Sequence, residues 1–187
     1  MYKMLVIGLS AGGMPLIKKL LAALPKDYSL AIAIVLHLPQ GYESNLAELL
    51  NAATDLPVTM ARDKQSIVAG HVTIAPPDYH LLIEQNNQFA LSEDAPVKSV
   101  RPSIDVLFSS AAEAFESSLI AVILSGANSD GAEGMAMVKQ LGGLCMVLNP
   151  DEAEFNTMPR AVIQRVAVDY IASIDDIISL LVSVDEK

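Results

Sequence analysis

The sequence predicts an α/β fold: a doubly wound, mostly parallel sheet with helices on both faces and a small antiparallel β insert. Three observations carry that expectation. Short, wholly apolar runs recur along the chain, as at residues 30–36 (LAIAIVL) and 119–124 (LIAVIL), and such runs suit strands buried on both faces of a parallel sheet. Stretches with helical spacing alternate with them, the pattern of linked βαβ units. In the middle of the chain, Pro76-Pro77-Asp78 and Gln85-Asn86-Asn87 punctuate shorter segments of hairpin type.

Taken in order, residues 4–8 are the first expected strand, and a helix over 14–24 stops before Pro25. The run 30–36 is the second strand, followed by a helix over 43–52 and a weak strand over 57–60. Segments 71–75 and 80–84 flank the Pro-Pro-Asp turn and, with 89–91, read as an antiparallel excursion. Pro102 opens a helix through about residue 115, the run 119–124 is another buried strand, and a helix over 132–141 ends at Gly142-Gly143. A strand over 144–148 closes at Asn149-Pro150, and Pro159 suits the first turn of a short helix. Residues 168–172 are the last strand, and Ser173 with Asp176 has the pattern of a capping box for a final helix. With no repeat or linker, residues 1–187 read as a single domain.

The 187 residues, 52% of them apolar, suffice for one core without a staple. No apolar run is long enough to span a bilayer, and the first stretch is no signal peptide, so the expected address is cytoplasmic. Cys145 has no partner for an internal disulfide and sits in an apolar run, which fits a small buried hydrophobe. A net charge of −10 disfavours nucleic acid, whose binding needs basic patches. Three scattered histidines and one cysteine make no metal-ligand pattern, so neither metal nor cofactor is expected.

In sheets of this kind ligands collect beyond the carboxyl ends of the strands. After the first strand stands Gly8-Leu9-Ser10-Ala11-Gly12-Gly13; after the second, His37-Leu38-Pro39; after the strand 119–124, Ser125-Gly126-Ala127-Asn128-Ser129-Asp130-Gly131. A serine, a histidine and an aspartate therefore occupy loops expected on one edge. Gly8-x-Ser10-x-Gly12 has the form of a nucleophile elbow. A hydroxyl needs a base to become nucleophilic, and that base needs a carboxylate to fix its tautomer. Ser10, His37 and Asp130 thus form a candidate triad for attack on a carboxylic ester. Each has a plainer reading as well: Ser10 and Asp130 as helix N-caps, His37 as a satisfied core residue, and the glycine-rich turn as a phosphate cradle. His71 lies at the wrong end of its strand, and His80 is assigned to the insert.

The sequence resembles the chemotaxis receptor methylesterase family, the catalytic domain of CheB-type proteins. The motifs are Ile7-Gly8-Leu9-Ser10-Ala11-Gly12-Gly13, Val35-Leu36-His37-Leu38-Pro39, Ile74-Ala75-Pro76-Pro77-Asp78-Tyr79-His80, Val100-Arg101-Pro102-Ser103-Ile104-Asp105-Val106-Leu107-Phe108, Leu124-Ser125-Gly126-Ala127-Asn128-Ser129-Asp130-Gly131-Ala132 and Met158-Pro159-Arg160-Ala161. The resemblance implies hydrolysis of glutamyl methyl esters on the cytoplasmic helices of methyl-accepting chemoreceptors, with release of methanol, and in some members deamidation of receptor glutamine. It implies Ser10 as nucleophile, His37 as base and Asp130 as orienting acid, and it maps the oxyanion donors onto the backbone of Ala11 and Ala127. It sets Met158 near the rim of the site and suggests Arg101 and Arg160 as partners for carboxylates beside the target; ordinary surface pairing is the alternative for both arginines. Ala11 stands where the family usually has threonine, and Ser125-Gly126-Ala127-Asn128 where it usually has Thr-Gly-Met-Gly, which alters the shape of the pocket. The family's usual N-terminal receiver domain is not expected ahead of a strand that begins almost at Met1, so phosphorylation-driven relief of inhibition is not expected within this chain, and regulation by a separate protein is left open. The competing expectations are a small-molecule carboxylic esterase with the same triad and a non-enzymatic phosphate- or nucleotide-binding module. The order Ser, His, Asp argues against an α/β-hydrolase version of the former, and the lack of a lysine after the turn argues against a P-loop version of the latter.

Overall fold

A computed structural model of the chain describes residues 1–37 and 45–185. Strands β1 (Met4–Leu9), β2 (Ala31–Leu36), β3 (Val58–Met60), β4 (Val72–Ile74), β7 (Leu119–Ile123), β8 (Leu144–Leu148) and β9 (Tyr170–Ala172) form a seven-stranded sheet, and β5 (His80–Glu84) and β6 (Gln88–Ser92) form a separate hairpin. The large sheet has the order β3-β4-β2-β1-β7-β8-β9, and every pair in it is parallel. The helices are α1 (Met14–Ala23), α2 (Leu46–Asn51), α3 (Ile104–Phe115), α4 (Ala132–Gln140), α5 (Thr157–Arg165) and α6 (Ile174–Asp185).

The apolar runs behave as strands of a covered sheet because alternate residues feed two cores. Leu5, Ile7 and Leu9 of β1 join Ile32, Ile34 and Leu36 of β2 beneath Ile17 and Leu21 of α1 and Ile177 and Leu181 of α6. Met4, Val6, Ala31, Ala33 and Val35 face the other way, against Phe108 of α3, Met135 of α4, Val162 of α5 and the inner side of the hairpin at Leu81, Ile83 and Phe89. Each fully buried Leu or Ile contributes roughly 1.5–3 kcal/mol, so both layers are tied firmly to the central strands. Gly8 sets how closely α3 approaches the sheet. A Cβ there would lie 2.5 Å from Ile104 Cγ2, so only glycine lets the first residue of α3 rest against the end of β1.

Most expected elements are present, with small shifts at their ends. One differs in a way that carries meaning. The sequence places segment 71–75 in the antiparallel excursion, but β4 pairs in parallel with both β2 and β3; the insert is the β5–β6 hairpin alone. Its neighbouring turn residues mimic a hairpin, whereas Val72, Thr73 and Ile74 are all buried, as an interior strand requires. The expected helix over 43–52 appears as α2, and its first two residues lie outside the described ones, as do Leu38 and Pro39. Ser173 does cap α6, accepting the N–H of Asp176 at 3.1 Å. No helix among the described residues is long and apolar enough to cross a membrane.

Candidate active site

The chain leaves β1 toward β2 and leaves β7 toward β8, so the sheet's switch point lies between β1 and β7, where an open α/β sheet forms its crevice. The three candidate loops emerge from adjacent strands, β2, β1 and β7, and backbone hydrogen bonds lace them together past the strand ends. His37 N–H donates to Leu9 O at 3.0 Å, Ser10 N–H to Ser125 O at 2.9 Å and Leu124 N–H to Gly8 O at 3.0 Å. Ser10, His37 and Asn128 line one cleft of about 500 Å³, whose walls include Met14, Leu36 and Val100.

Ser10 does not cap the first helix. The N-cap of α1 is Gly13, without a side-chain cap, and Ser10 instead sits at the start of a tight turn closed by the Gly13 N–H on its own carbonyl at 3.0 Å. Gly12 takes φ +74°, and a Cβ there would strike the Ser125 hydroxyl, so the turn needs glycine on two counts. Ser125 is fully buried. Its Oγ donates to Ala11 O at 2.8 Å and accepts the Phe155 N–H at 3.0 Å, tying the serine turn to the loop before α5.

Asp130 does not cap its own helix either. The N-cap of α4 is Gly131, and the Asp130 carboxylate lies at the start of α3. There it accepts the N–H of Ile104 at 2.6 Å, the N–H of Asp105 at 3.1 Å and the Ser103 hydroxyl at 2.8 Å. These donors are the unsatisfied first amides of a helix, whose dipole favours an anion. His37 Nε2 meets the same carboxylate at 2.8 Å, with side-chain exposures of 8% for His37 and 0% for Asp130. Burial by itself would raise the Asp130 pKa, but the hydrogen bonds from His37, Ile104 and Ser103 outweigh it and hold the group below its ordinary value. Asp130 is therefore an anion built into the interior and aimed at the histidine.

The pairing is reciprocal. Asp105 Oδ1 accepts the N–H groups of Gly131 and Gly134 at 2.9 and 2.8 Å, so the carboxylate near each helix start caps the other helix. Lys98 Nζ reaches Asp105 Oδ2 at 2.8 Å and Ser129 O at 3.0 Å. Burial, with a contribution from the charge of Asp130, raises the Asp105 pKa against the lowering effect of Gly134 and Lys98. Behind Ser103, His80 Nδ1 accepts the Ser103 N–H at 3.1 Å while Nε2 meets Ala95 O at 3.2 Å. His80, which the sequence assigns to the insert, thus also buttresses the residue that holds Asp130.

The remaining expected residues divide clearly. Ala11 and Ala127 are exposed, Ala11 lines the cleft, and no acceptor among the described residues meets either N–H. Met158 is fully buried, with its thioether packed against Gly126; it supports the loop from beneath and is no part of the rim. Arg101 is committed elsewhere, since Nη1 donates to Glu93 O at 2.7 Å and Asp94 O at 3.1 Å. Arg160 is 55% exposed and approaches Asp151 at 3.9 Å. Neither arginine lines the cleft. Burial pushes the Cys145 thiol up to about 12, in keeping with an inert core residue. Among the described residues no group of His, Cys, Asp and Glu is arranged to hold a metal ion.

Sequence reasoning missed Ser103, Asp105 and Asn128. A signal for Ser103 was present, because a serine just after Pro102 and ahead of an apolar helical stretch reads as an N-cap. No local pattern shows that the helix it caps binds a carboxylate from 27 residues away.

A family model described as CheB methylesterase matches residues 5–181. The chain is 42% identical over 186 residues to a putative protein-glutamate methylesterase/protein-glutamine glutaminase of Leptospira interrogans, covering all of this chain and 96% of that protein. It is 35% identical over 172 residues to a protein-glutamate methylesterase/protein-glutamine glutaminase of Thermotoga maritima, covering 90% of this chain and 50% of that protein. The crystal structure of the Thermotoga maritima CheB methylesterase catalytic domain matches with a TM-score of 0.93 at 34% identity, over 98% of this chain and 99% of that one.

Proposed function

The chain belongs to the CheB methylesterase family, and on that footing we propose that it hydrolyses glutamyl methyl esters with Ser10 as nucleophile, His37 as base and Asp130 as the orienting carboxylate. The observation that carries this reading is the buried Asp130–His37 pair at the switch-point crevice, opening onto the cleft that Ser10 lines. Asp130 accepts from Nε2, so Nδ1 is the basic nitrogen. Ser10 Oγ attacks the ester carbonyl carbon as its O–H bond breaks and the proton passes to Nδ1. The backbone N–H groups of Ala11 and Ala127 are the proposed donors to the oxyanion that forms, groups of the kind that stabilise such charge. Collapse breaks the ester C–O bond, and methoxide takes the proton from Nδ1 and leaves as methanol. Water, deprotonated by the same nitrogen, then cleaves the acyl-serine to a glutamate carboxyl and free Ser10.

The cleft supports this substrate class. Among the described residues its walls carry no lysine or arginine, which disfavours the phosphate-binding alternative and suits a neutral ester with an aliphatic stem. The substrate proposed is the cytoplasmic helical region of chemoreceptors, with receptor glutamine as a slower amide substrate, and a cytoplasmic address fits both. The test is methanol release from methylated receptor fragments. Release that disappears in Ser10→Ala is the expected result. Absence of release from the receptor fragment, with turnover of small esters intact, would instead favour the small-molecule esterase.

A further inference from the structure

The orientation of the Asn128 amide is fixed by its neighbours. Oδ1 accepts the backbone N–H of Asp130 at 3.1 Å. That partner only donates, so the group facing His37 Nδ1 at 3.3 Å is the amide Nδ2. On the far side of the ring, Nε2 meets a carboxylate that Ser103, Ile104 and Asp105 keep as an acceptor. The imidazole is therefore the Nε2–H tautomer, and an Asn128 N–H sits on its one basic lone pair.

A ring nitrogen offers a single in-plane lone pair, so an Asn128 N–H on it leaves none for the hydroxyl of Ser10, which lines the same cleft. Asp130 already selects the tautomer, which leaves Asn128 no useful part in that choice. We propose that Asn128 is a brake on the catalytic base: its side chain occupies His37 Nδ1 in the resting site and has to be displaced before Ser10 can be deprotonated. The inference rests on the esterase reading above and adds to it a residue that limits the rate of the same site.

Two substitutions separate this role from simple support of the loop. Asn128→Ser keeps an oxygen able to accept the Asp130 N–H but has no group long enough to reach His37. Asn128→Asp keeps that acceptor too, and turns an acceptor instead of a donor toward Nδ1. Methanol release from a methylated receptor fragment is measured at neutral pH, with Ser10→Ala as the blank, alongside ¹⁵N NMR of the His37 ring. The expected result is a kcat about two- to tenfold above wild type for Asn128→Ser, the range of one neutral hydrogen bond, with the His37 tautomer unchanged. For Asn128→Asp, the expected result is a proton on Nδ1 and about tenfold slower turnover. If both variants match wild type in kcat and in the ring spectrum, Asn128 only anchors the turn and the brake is overturned. A slower Asn128→Ser with an unchanged melting temperature would overturn it as well. A wild type no faster than Ser10→Ala would overturn the esterase reading, and the brake with it.

Discussion

Asp130 and Ser10 lie on neighbouring loops of one crevice, yet they are held in opposite ways. The Asp130 carboxylate is wholly buried and accepts from Ser103, Ile104, Asp105 and His37. Ser10 is half-exposed on a glycine turn, held through its backbone to Ser125 and Gly13. The charge beside His37 is thus part of the protein's interior, whereas the proposed nucleophile lines the open cleft. Activity and stability should therefore separate on the Ser10 side and travel together on the Asp130 side.

The largest effects test that separation. Ser10→Ala is expected to lower ester hydrolysis by roughly 10⁴-fold or more with a melting temperature close to wild type. His37→Ala should do about the same, and the double variant should be little worse than either, because the pair shares one step; an additive loss would break the assignment. Asp130→Ala is expected to lose activity on a similar scale and also about 1–3 kcal/mol of stability or more, since it leaves the Ser103 hydroxyl and the first amides of α3 without their acceptor. A denaturant titration that finds Asp130→Ala as stable as Ser10→Ala would remove the contrast.

Ser103→Ala sharpens the comparison at intermediate size. It takes away a donor to Asp130 and the cap of α3 together, so a stability loss of about 1–2 kcal/mol should come with about a tenfold slower kcat. A kcat equal to wild type at unchanged KM would show that the Asp130 carboxylate keeps its aim without the hydroxyl.

The smallest effects concern pH, and the two carboxylates should differ in sign. The folded pKa of Asp130 is lowered, so its contribution to stability is complete above the unfolded carboxylate value of about 3.9 and is lost as pH falls through the lower folded value. The folded pKa of Asp105 is raised, so its contribution is complete below that unfolded value and fades as pH rises through the folded one. Asp130→Asn should therefore flatten the acid side of the stability curve, and Asp105→Asn should remove a shallow decline on the less acidic side. Curves of the same shape for both variants would contradict this arrangement of charge.

The fold was legible because its strands are apolar throughout. LAIAIVL and LIAVIL have few alternatives to a covered parallel sheet, and adjacent parallel strands bring their trailing loops to one edge. That reasoning was enough to place the loops of Ser10, His37 and Asp130 beyond adjacent strands on one edge. The elements that hold them were not legible, because reciprocal capping between α3 and α4 depends on side chains meeting across 26 residues of sequence. The same limit explains the substrate residues. The charge of Arg101 and Arg160 suggests partners for carboxylates, but charge alone does not say that one guanidinium is committed to two carbonyls of its own loop. Met158 reads as a pocket residue in sequence and is a core residue in space, because it packs on Gly126.

The central claim, that a buried Asp130–His37 pair activates Ser10, is tested most directly without the natural substrate. The rate at which a serine-directed fluorophosphonate labels the Ser10 peptide, read by mass spectrometry, reports the nucleophile itself. Labelling confined to Ser10 and slowed by roughly 10³-fold or more in Asp130→Asn is the expected result. Labelling of Ser10 at equal rates in wild type and Asp130→Asn, or no labelling of Ser10 in the folded protein, would contradict it.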